Sequence, residues 1–128
     1  MTSPTLSELD GAEHHAPELK LNVQTHDYRG GVVVGLAGEL DAVTASWLLD
    51  CLHERLTPAG RRVSLDLSGL SFLDVAGVRA VVTLSDQVTK AHGRLEVRGL
   101  EGGPLRTSRI LGLDRFVAIG RSDESARR

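Results

Sequence analysis

Aromatic residues are scarce in this chain, and their scarcity limits what the protein can bind. Phe, Trp and Tyr make up 3% of the 128 residues, too few for a surface on which nucleic-acid bases could stack. An excess of one charge is also lacking, because 15 Lys and Arg stand against 17 Asp and Glu, for a formal net charge of -2. Nucleic-acid binding usually requires a basic patch, so the composition predicts no nucleic-acid partner.

Three further absences concern the compartment in which the protein works. The single cysteine, Cys51, cannot form an internal disulfide, and it falls on the apolar stripe of a predicted helix, where a core thiol is expected. No apolar run approaches the ~20 residues needed to span a bilayer. Residues 1–15 also lack the basic and apolar regions of a signal peptide. We therefore expect a cytoplasmic protein with no membrane partner.

The sequence also lacks the usual signatures of catalysis, metal binding and phosphate binding. Its five histidines show no pairing at metal-ligand spacing. The glycine-rich segment from Glu101 to Pro104 matches neither the phosphate-loop pattern nor the dinucleotide-binding pattern. No nucleophile elbow surrounds a serine. These absences predict that the protein is not an enzyme and holds no metal or cofactor.

What is present fits one small α/β domain. Hydrophobic residues make up 41% of the chain, enough for a core and too many for general disorder. Residues 1–17 are polar and aperiodic, so we expect a flexible N-terminal tail, a domain over residues 18–122 and a C-terminal tail over residues 123–128.

Hydrophobic periodicity predicts the elements of this domain. An opening hairpin is followed by alternating helices and strands, which predicts a mixed sheet of four to five strands with helices packed against it. The predicted strands cover residues 19–23, 32–36, 62–67, 95–97 and 116–119, and the predicted helices cover residues 47–56, 75–92 and a segment starting near 104.

The segment from Asp66 to Val82 is the most informative part of the chain. A buried strand leads through a predicted turn to Asp74, a plausible N-cap, and to an amphipathic helix. Gly77, in the first helical turn, leaves room for another surface to approach the backbone. Open α/β sheets bind at the carboxyl ends of their strands, so this passage and the similar one around Asp41 should emerge side by side.

Three segments resemble the STAS domains of bacterial anti-sigma factor antagonists. They are DLSGLSFLDVAGV (from Asp66), GELDAVTASWLLDCL (from Gly38) and ILGLDRFVAIGRSDESA (from Ile110), and the likeness extends over the chain after Pro17. The resemblance implies a module that docks on an ATP-binding anti-sigma kinase and thereby frees a sigma factor. It also implies that Ala76 occupies the position at which the family carries a phosphoserine.

The resemblance implies a set of partner-binding residues, most of which also have a simpler interpretation. The set is Asp41, Thr44, Asp74, Val75, Ala76, Gly77 and Arg79. The two aspartates and Thr44 could only start helices, Ala76 could be only a good helix former, and Arg79 could be a solvated charge. Alanine has no oxygen to modify, so no phosphorylation is expected at residue 76. Thr44, Ser46 and Ser71 are weak alternative acceptors.

Three functions of different classes remain open from the sequence. The first is the antagonist that binds an anti-sigma kinase, without the usual phosphorylation switch. The second is a scaffold role, in which the domain assembles with other STAS domains into a larger signalling particle. The third is an enzyme or a small-ligand-binding domain that uses the crevice at the strand ends.

Overall fold

The computed structural model of the protein describes residues 13–14, 20–56 and 60–120. The tails expected over residues 1–17 and 123–128 lie outside the described residues, apart from residues 13 and 14. Those two residues form a short strand, so the sheet gains an edge strand that the sequence did not predict.

One mixed sheet organises the described residues, and its six strands follow the order of the chain. The strands are β1 (Glu13–His14), β2 (Leu21–Tyr28), β3 (Gly31–Leu40), β4 (Arg62–Leu73), β5 (Arg94–Arg98) and β6 (Ala118–Ile119). β1, β2 and β3 pair antiparallel, whereas β3, β4, β5 and β6 pair parallel. The helices are α1 (Ala42–Leu56), α2 (Val75–Lys90) and α3 (Gly102–Leu111), followed by a 3-10 turn (Leu113–Arg115). The predicted α/β class and the opening hairpin are confirmed.

Period-2 alternation places the core on one face of this sheet. The buried apolar side chains of β2, β3 and β4 that alternate in this way include Leu21, Val23, Val32, Val34, Leu36, Val63, Leu65 and Leu67. Alternate residues such as Gln24 and Asp66 face away from this core and are exposed or partly exposed. A one-residue slip would turn the whole apolar set outward, so burial fixes the register of each strand.

Two helices cover the apolar face with their own apolar stripes. Leu48, Leu52 and Leu56 of α1 are fully buried, and so are Val81, Leu84 and Val88 of α2. Burying one such side chain stabilises the fold by roughly 1.5–3 kcal/mol. Cys51 is 2% exposed within this core, as predicted from its place on the stripe.

The predicted turn after residue 67 does not exist, because β4 continues to Leu73. Gly69 makes this possible, since a Cβ there would lie 2.8 Å from Cβ of Ala37 and 2.9 Å from the carbonyl oxygen of Leu36. The pairing of β3 with β4 shifts register between Gly35 and Ala37. Gly69 therefore permits β3 and β4 to approach closely where their pairing is irregular. Because β4 extends to Leu73, only Asp74 separates it from α2.

Other element boundaries differ from the predicted ones by a few residues. α2 ends at Lys90 rather than at His92, whose left-handed backbone (φ 63°) cannot continue a helix. α3 begins at Gly102, two residues before Pro104, and the last strand begins at Ala118.

Candidate docking surface

Two helix N termini lie side by side at the carboxyl end of the sheet. The last residue of β3, Leu40, pairs with the last residue of β4, Leu73. The backbone N-H of Asp74 donates to the carbonyl oxygen of Leu40 at 3.4 Å. Asp41 and Asp74 each follow directly, so the adjacency predicted from the topology is confirmed.

Asp41 caps α1 with its carboxylate. Its Oδ1 accepts hydrogen bonds from the backbone N-H groups of Val43 and Thr44, both at 3.0 Å. The backbone N-H of Asp41 in turn donates to Oγ1 of Thr44 at 2.9 Å, a reciprocal arrangement like a capping box. The hydrogen bond from the Thr44 backbone is the main cause that holds the pKa of Asp41 below its ordinary value of 3.8.

Thr44 is not available at this surface, contrary to both roles proposed for it from the sequence. The residue is 2% exposed, and its hydroxyl donates to the carbonyl oxygen of Glu39 at 2.8 Å. The hydroxyl satisfies backbone groups at the start of α1, so it lies beyond the reach of a partner or a kinase. Ser71, by contrast, is exposed, and its hydroxyl donates to the carbonyl oxygen of Gly38 at 3.2 Å.

Asp74 caps α2, and Gly77 packs inward beneath that cap. Oδ1 of Asp74 accepts from the backbone N-H of Gly77 at 3.0 Å. Gly77 is buried, and a Cβ there would lie 2.5 Å from the carbonyl oxygen of Leu40 and 2.7 Å from Cδ1 of Leu73. The surface that approaches this glycine therefore belongs to the same chain, which corrects the expectation that Gly77 makes room for a partner.

The first turn of α2 exposes the remaining predicted contact residues. Val75 is 47% exposed, Ala76 is partly buried and Arg79 is exposed. Two apolar side chains that the sequence did not single out lie close to the helix starts, namely Phe72 (46% exposed) and Val43 (65% exposed).

Only one of these two additional residues could have been found from the sequence. Val43 lies off the helical stripe formed by Ala45, Leu48 and Leu52, so its exposure follows from a period of 3.6 residues. Phe72 follows the irregular β3-β4 pairing, where a simple alternation no longer predicts which side chains face outward.

An apolar groove of about 500 Å³ begins at Val75 and runs along α2. Its walls are Val75, Val78, Arg79, Val82 and Thr83 on one side, and Leu111 and Phe116 on the other. A smaller polar cleft of about 220 Å³ lies on the opposite face of the sheet, between Gln24 and Asp66.

The described residues contain neither a metal-binding cluster nor a membrane-spanning helix. Residues 13–14, 20–56 and 60–120 contain no group of three or more His, Cys, Asp or Glu side chains arranged to hold a metal ion. Among the helices of those segments, none is both long enough and apolar enough to cross a membrane.

The fold and the surface together define a class of protein. It is a single α/β domain with an N-terminal β-hairpin, and it presents two capped helix N termini beside exposed apolar residues. The sequence model of the family described as "Mlab, STAS domain" matches residues 23–119. The chain belongs to the STAS domain family.

Known proteins similar to this chain are anti-sigma factor antagonists. The anti-sigma-B factor antagonist of Bacillus subtilis is 27% identical over 109 residues, which cover 83% of this chain and 96% of that protein. An anti-sigma factor antagonist from Mycobacterium paratuberculosis has a similar fold, with a TM-score of 0.64 and 24% identity over 81% of this chain and 87% of the other. The unphosphorylated form of the anti-sigma factor antagonist SpoIIAA also has a TM-score of 0.64, with 20% identity over 81% of this chain and 92% of the other.

Proposed function

We propose that this protein is an anti-sigma factor antagonist that docks on an ATP-binding anti-sigma kinase in the cytoplasm and so releases a sigma factor. The observation that carries the proposal is the family membership of the chain together with antagonist relatives. The contact surface would be the tip, defined as Asp41, Phe72, Asp74, Val75, Ala76 and Arg79.

The chemistry of the tip supports docking on another protein. Val75 and Phe72 expose apolar surface next to two capped helix starts, and apolar contact is the main favourable term in association. Arg79 adds a positive charge whose guanidinium has no ion pair or hydrogen bond with the described residues. Arginine is among the residue types most enriched at interface hot spots.

We further propose that phosphorylation of residue 76 does not switch this docking. A phosphate at a helix N terminus would be stabilised by the free N-H groups and the helix dipole, and its charge of about -2 would disrupt a close contact with a partner. Ala76 has no hydroxyl to accept that phosphate. Binding should therefore persist when kinase and ATP are both present.

The experiment mixes the purified protein with each ATP-binding anti-sigma kinase of its host and measures complex formation by calorimetry, with and without ATP. The native protein should bind one of them and carry no phosphate on residue 76. Ala76→Glu, which places a charge at the centre of the tip, should weaken the complex by about tenfold or more, since a like or unpaired charge at an interface costs several kcal/mol.

Thr89→Glu is the matched control, because it adds the same charge at an exposed position in the last turn of α2. Its binding should equal that of the native protein. Failure to bind every kinase of the host would contradict the antagonist function. A phosphate that appears on Ser71 and dissolves the complex would overturn only the unswitched version.

A further inference from the structure

The groove beside α2 is lined mainly by apolar side chains. Five of its seven lining residues are apolar: Val75, Val78, Val82, Leu111 and Phe116. Phe116 is 63% exposed and Leu111 is 37% exposed, so large apolar side chains face solvent on the wall opposite α2. Contiguous apolar surface of this kind is typical of an interaction site.

The shape of the groove suits a peptide segment better than a small molecule. A small-ligand pocket encloses most of its ligand, whereas the walls of this groove expose Val75 and Phe116 to solvent. The α2 wall runs from Val75 to Thr83, which at about 1.5 Å per residue is about 12 Å, or two helical turns. This length fits two or three apolar anchors of an amphipathic helix.

Among the described residues, Arg79 is the one charged residue that lines the groove, and its positive charge favours an acidic occupant. Arg79 lies in the wall, and Arg115 precedes Phe116 in the chain and is exposed. Neither guanidinium forms an ion pair or a hydrogen bond within the part of the chain that the structure describes. The last turn of α3, which ends at Leu111 of the groove wall, carries Arg109, and α3 contains no acidic residue.

We propose that this groove binds an amphipathic helical segment of the partner protein, with apolar residues on its buried face and carboxylates beside them. The inference rests on the proposed function, because the groove continues from Val75 of the tip and the same partner would occupy both. The apolar face would pack against the valines of α2, and the carboxylates would pair with Arg79 and Arg115. Complementary charge of this kind contributes mainly to partner choice and association rate.

The test uses two synthetic amphipathic helical peptides of about fourteen residues, long enough for a marginally stable helix. Both carry leucines on one face, and they differ only in flanking glutamates or lysines. Each is titrated into the full-length protein while backbone amide signals are followed by NMR. The glutamate peptide should shift amides of α2 and of the segment from Leu111 to Phe116, and it should bind about tenfold more tightly than the lysine peptide at low salt.

Variants on the far wall of the groove sharpen this test. Phe116→Ala should weaken binding of the glutamate peptide by about tenfold, as is typical of a hot-spot aromatic residue. Arg115→Glu should abolish or reverse the preference between the peptides. Ile110→Ala is the matched control, because Ile110 is an 83% exposed apolar residue outside the lining and its truncation should leave peptide affinity unchanged.

Several results would overturn the inference. The first three are equal binding of the two peptides, amide shifts confined to other surfaces, and no binding at all. The fourth is the appearance of amide shifts in the groove when the protein alone is concentrated, which would identify a second copy of the protein as the occupant. The proposed function is separable from the groove. If the kinase binds and Phe116→Ala leaves that affinity unchanged, the groove inference fails and the antagonist function stands. If the glutamate peptide occupies the groove but every kinase fails to bind, the antagonist function fails.

Discussion

The carboxylate of Asp41 links the capping of α1 to pH. Because the pKa of Asp41 is held below 3.8 in the folded protein, the unfolded chain takes up the proton first as the pH falls. The resulting stabilisation is therefore present above about pH 4 and is lost as the pH falls through the folded-state pKa. Asp41→Ala should lower the free energy of unfolding at neutral pH by about 1 kcal/mol, the usual value of an N-cap.

Asp41→Asn separates the capping hydrogen bonds from the charge. Asparagine is as good an N-cap as aspartate, so the variant should keep most of the neutral-pH stability and lose this contribution to acid sensitivity. Urea unfolding of both variants and the native protein, at neutral pH and at about pH 3, measures the two effects. An asparagine variant whose stability falls with acid as steeply as that of the native protein would show that other carboxylates carry the dependence.

Individual residues differ in how well the sequence predicts them. The capping role of Asp74 follows from its place before an apolar stripe, and the structure confirms it. The burial of Thr44 does not follow from the sequence. It depends on a hydrogen bond from the Thr44 hydroxyl to the carbonyl oxygen of Glu39, which lies five residues earlier in the chain. The assignment of Ala76 to the phosphoserine position rests on the motif alone and stays a prediction.

At the scale of elements, the contact between the start of α2 and the end of β3 allows almost no added volume. Gly77→Ala would place a methyl group 2.5 Å from the carbonyl oxygen of Leu40 and 2.7 Å from Cδ1 of Leu73. α2 would have to shift away from the strand, so the variant should be less stable by about 1–3 kcal/mol, as for other overpacked cores. Thermal or urea unfolding of the purified variant measures the loss.

Ala76→Gly is the control for this contact. It makes the reverse change at the adjacent, partly buried position, and it should cost at most about 1 kcal/mol, the difference in helix propensity. If Gly77→Ala proved as stable as the native protein, the close approach of α2 to Leu40 would be incorrect. The geometry of the tip would then need revision, because Gly77 sets how α2 leaves the sheet.

Element types and their order could be predicted from periodicity, whereas irregular pairing could not. The alternation of Val63, Leu65 and Leu67 predicts a strand with one buried face, and that strand exists. Local sequence rules predict a turn at Ser68 and Gly69. The neighbouring strand provides pairing partners beyond them, as Ala37 pairs with Gly69, and a single sequence carries no signal for such a tertiary effect.

At the scale of the whole molecule, an ion-pair cluster lies at the end of the sheet opposite the tip. Oδ2 of Asp27 lies 2.5 Å from a guanidinium nitrogen of Arg55, and Oδ1 lies 2.8 Å from one of Arg61. Asp27 pairs with Val32 near the start of β3. The eight steps from Val32 to Leu40, at about 3.3 Å each, place the tip about 26 Å away along the strand. The cluster joins β2, the end of α1 and the residue before β4.

Replacing Asp27 should therefore change stability and leave partner binding intact. The Arg55 side chain is 3% exposed, and Asp27→Asn would remove the carboxylate that lies against this buried charge. Loss of one partner of a fully buried pair costs about 3–5 kcal/mol. Because the Asp27 side chain is 43% exposed, solvent screens part of the interaction and a loss of about 1–3 kcal/mol is expected.

Two measurements separate the effect on stability from the effect on binding. Urea unfolding gives the stability, and the affinity for the anti-sigma kinase is measured at a temperature where the native protein and the variant are both folded. Glu54→Gln provides the control, because it removes an exposed carboxylate next to Arg55 in the chain and should change neither quantity by more than about 0.5 kcal/mol. If the folded Asp27→Asn variant also loses affinity, then the two ends of the sheet are coupled, and the tip cannot be treated as an independent docking surface. Unchanged affinity on a less stable domain would show that the core holds the tip in place without help from the cluster.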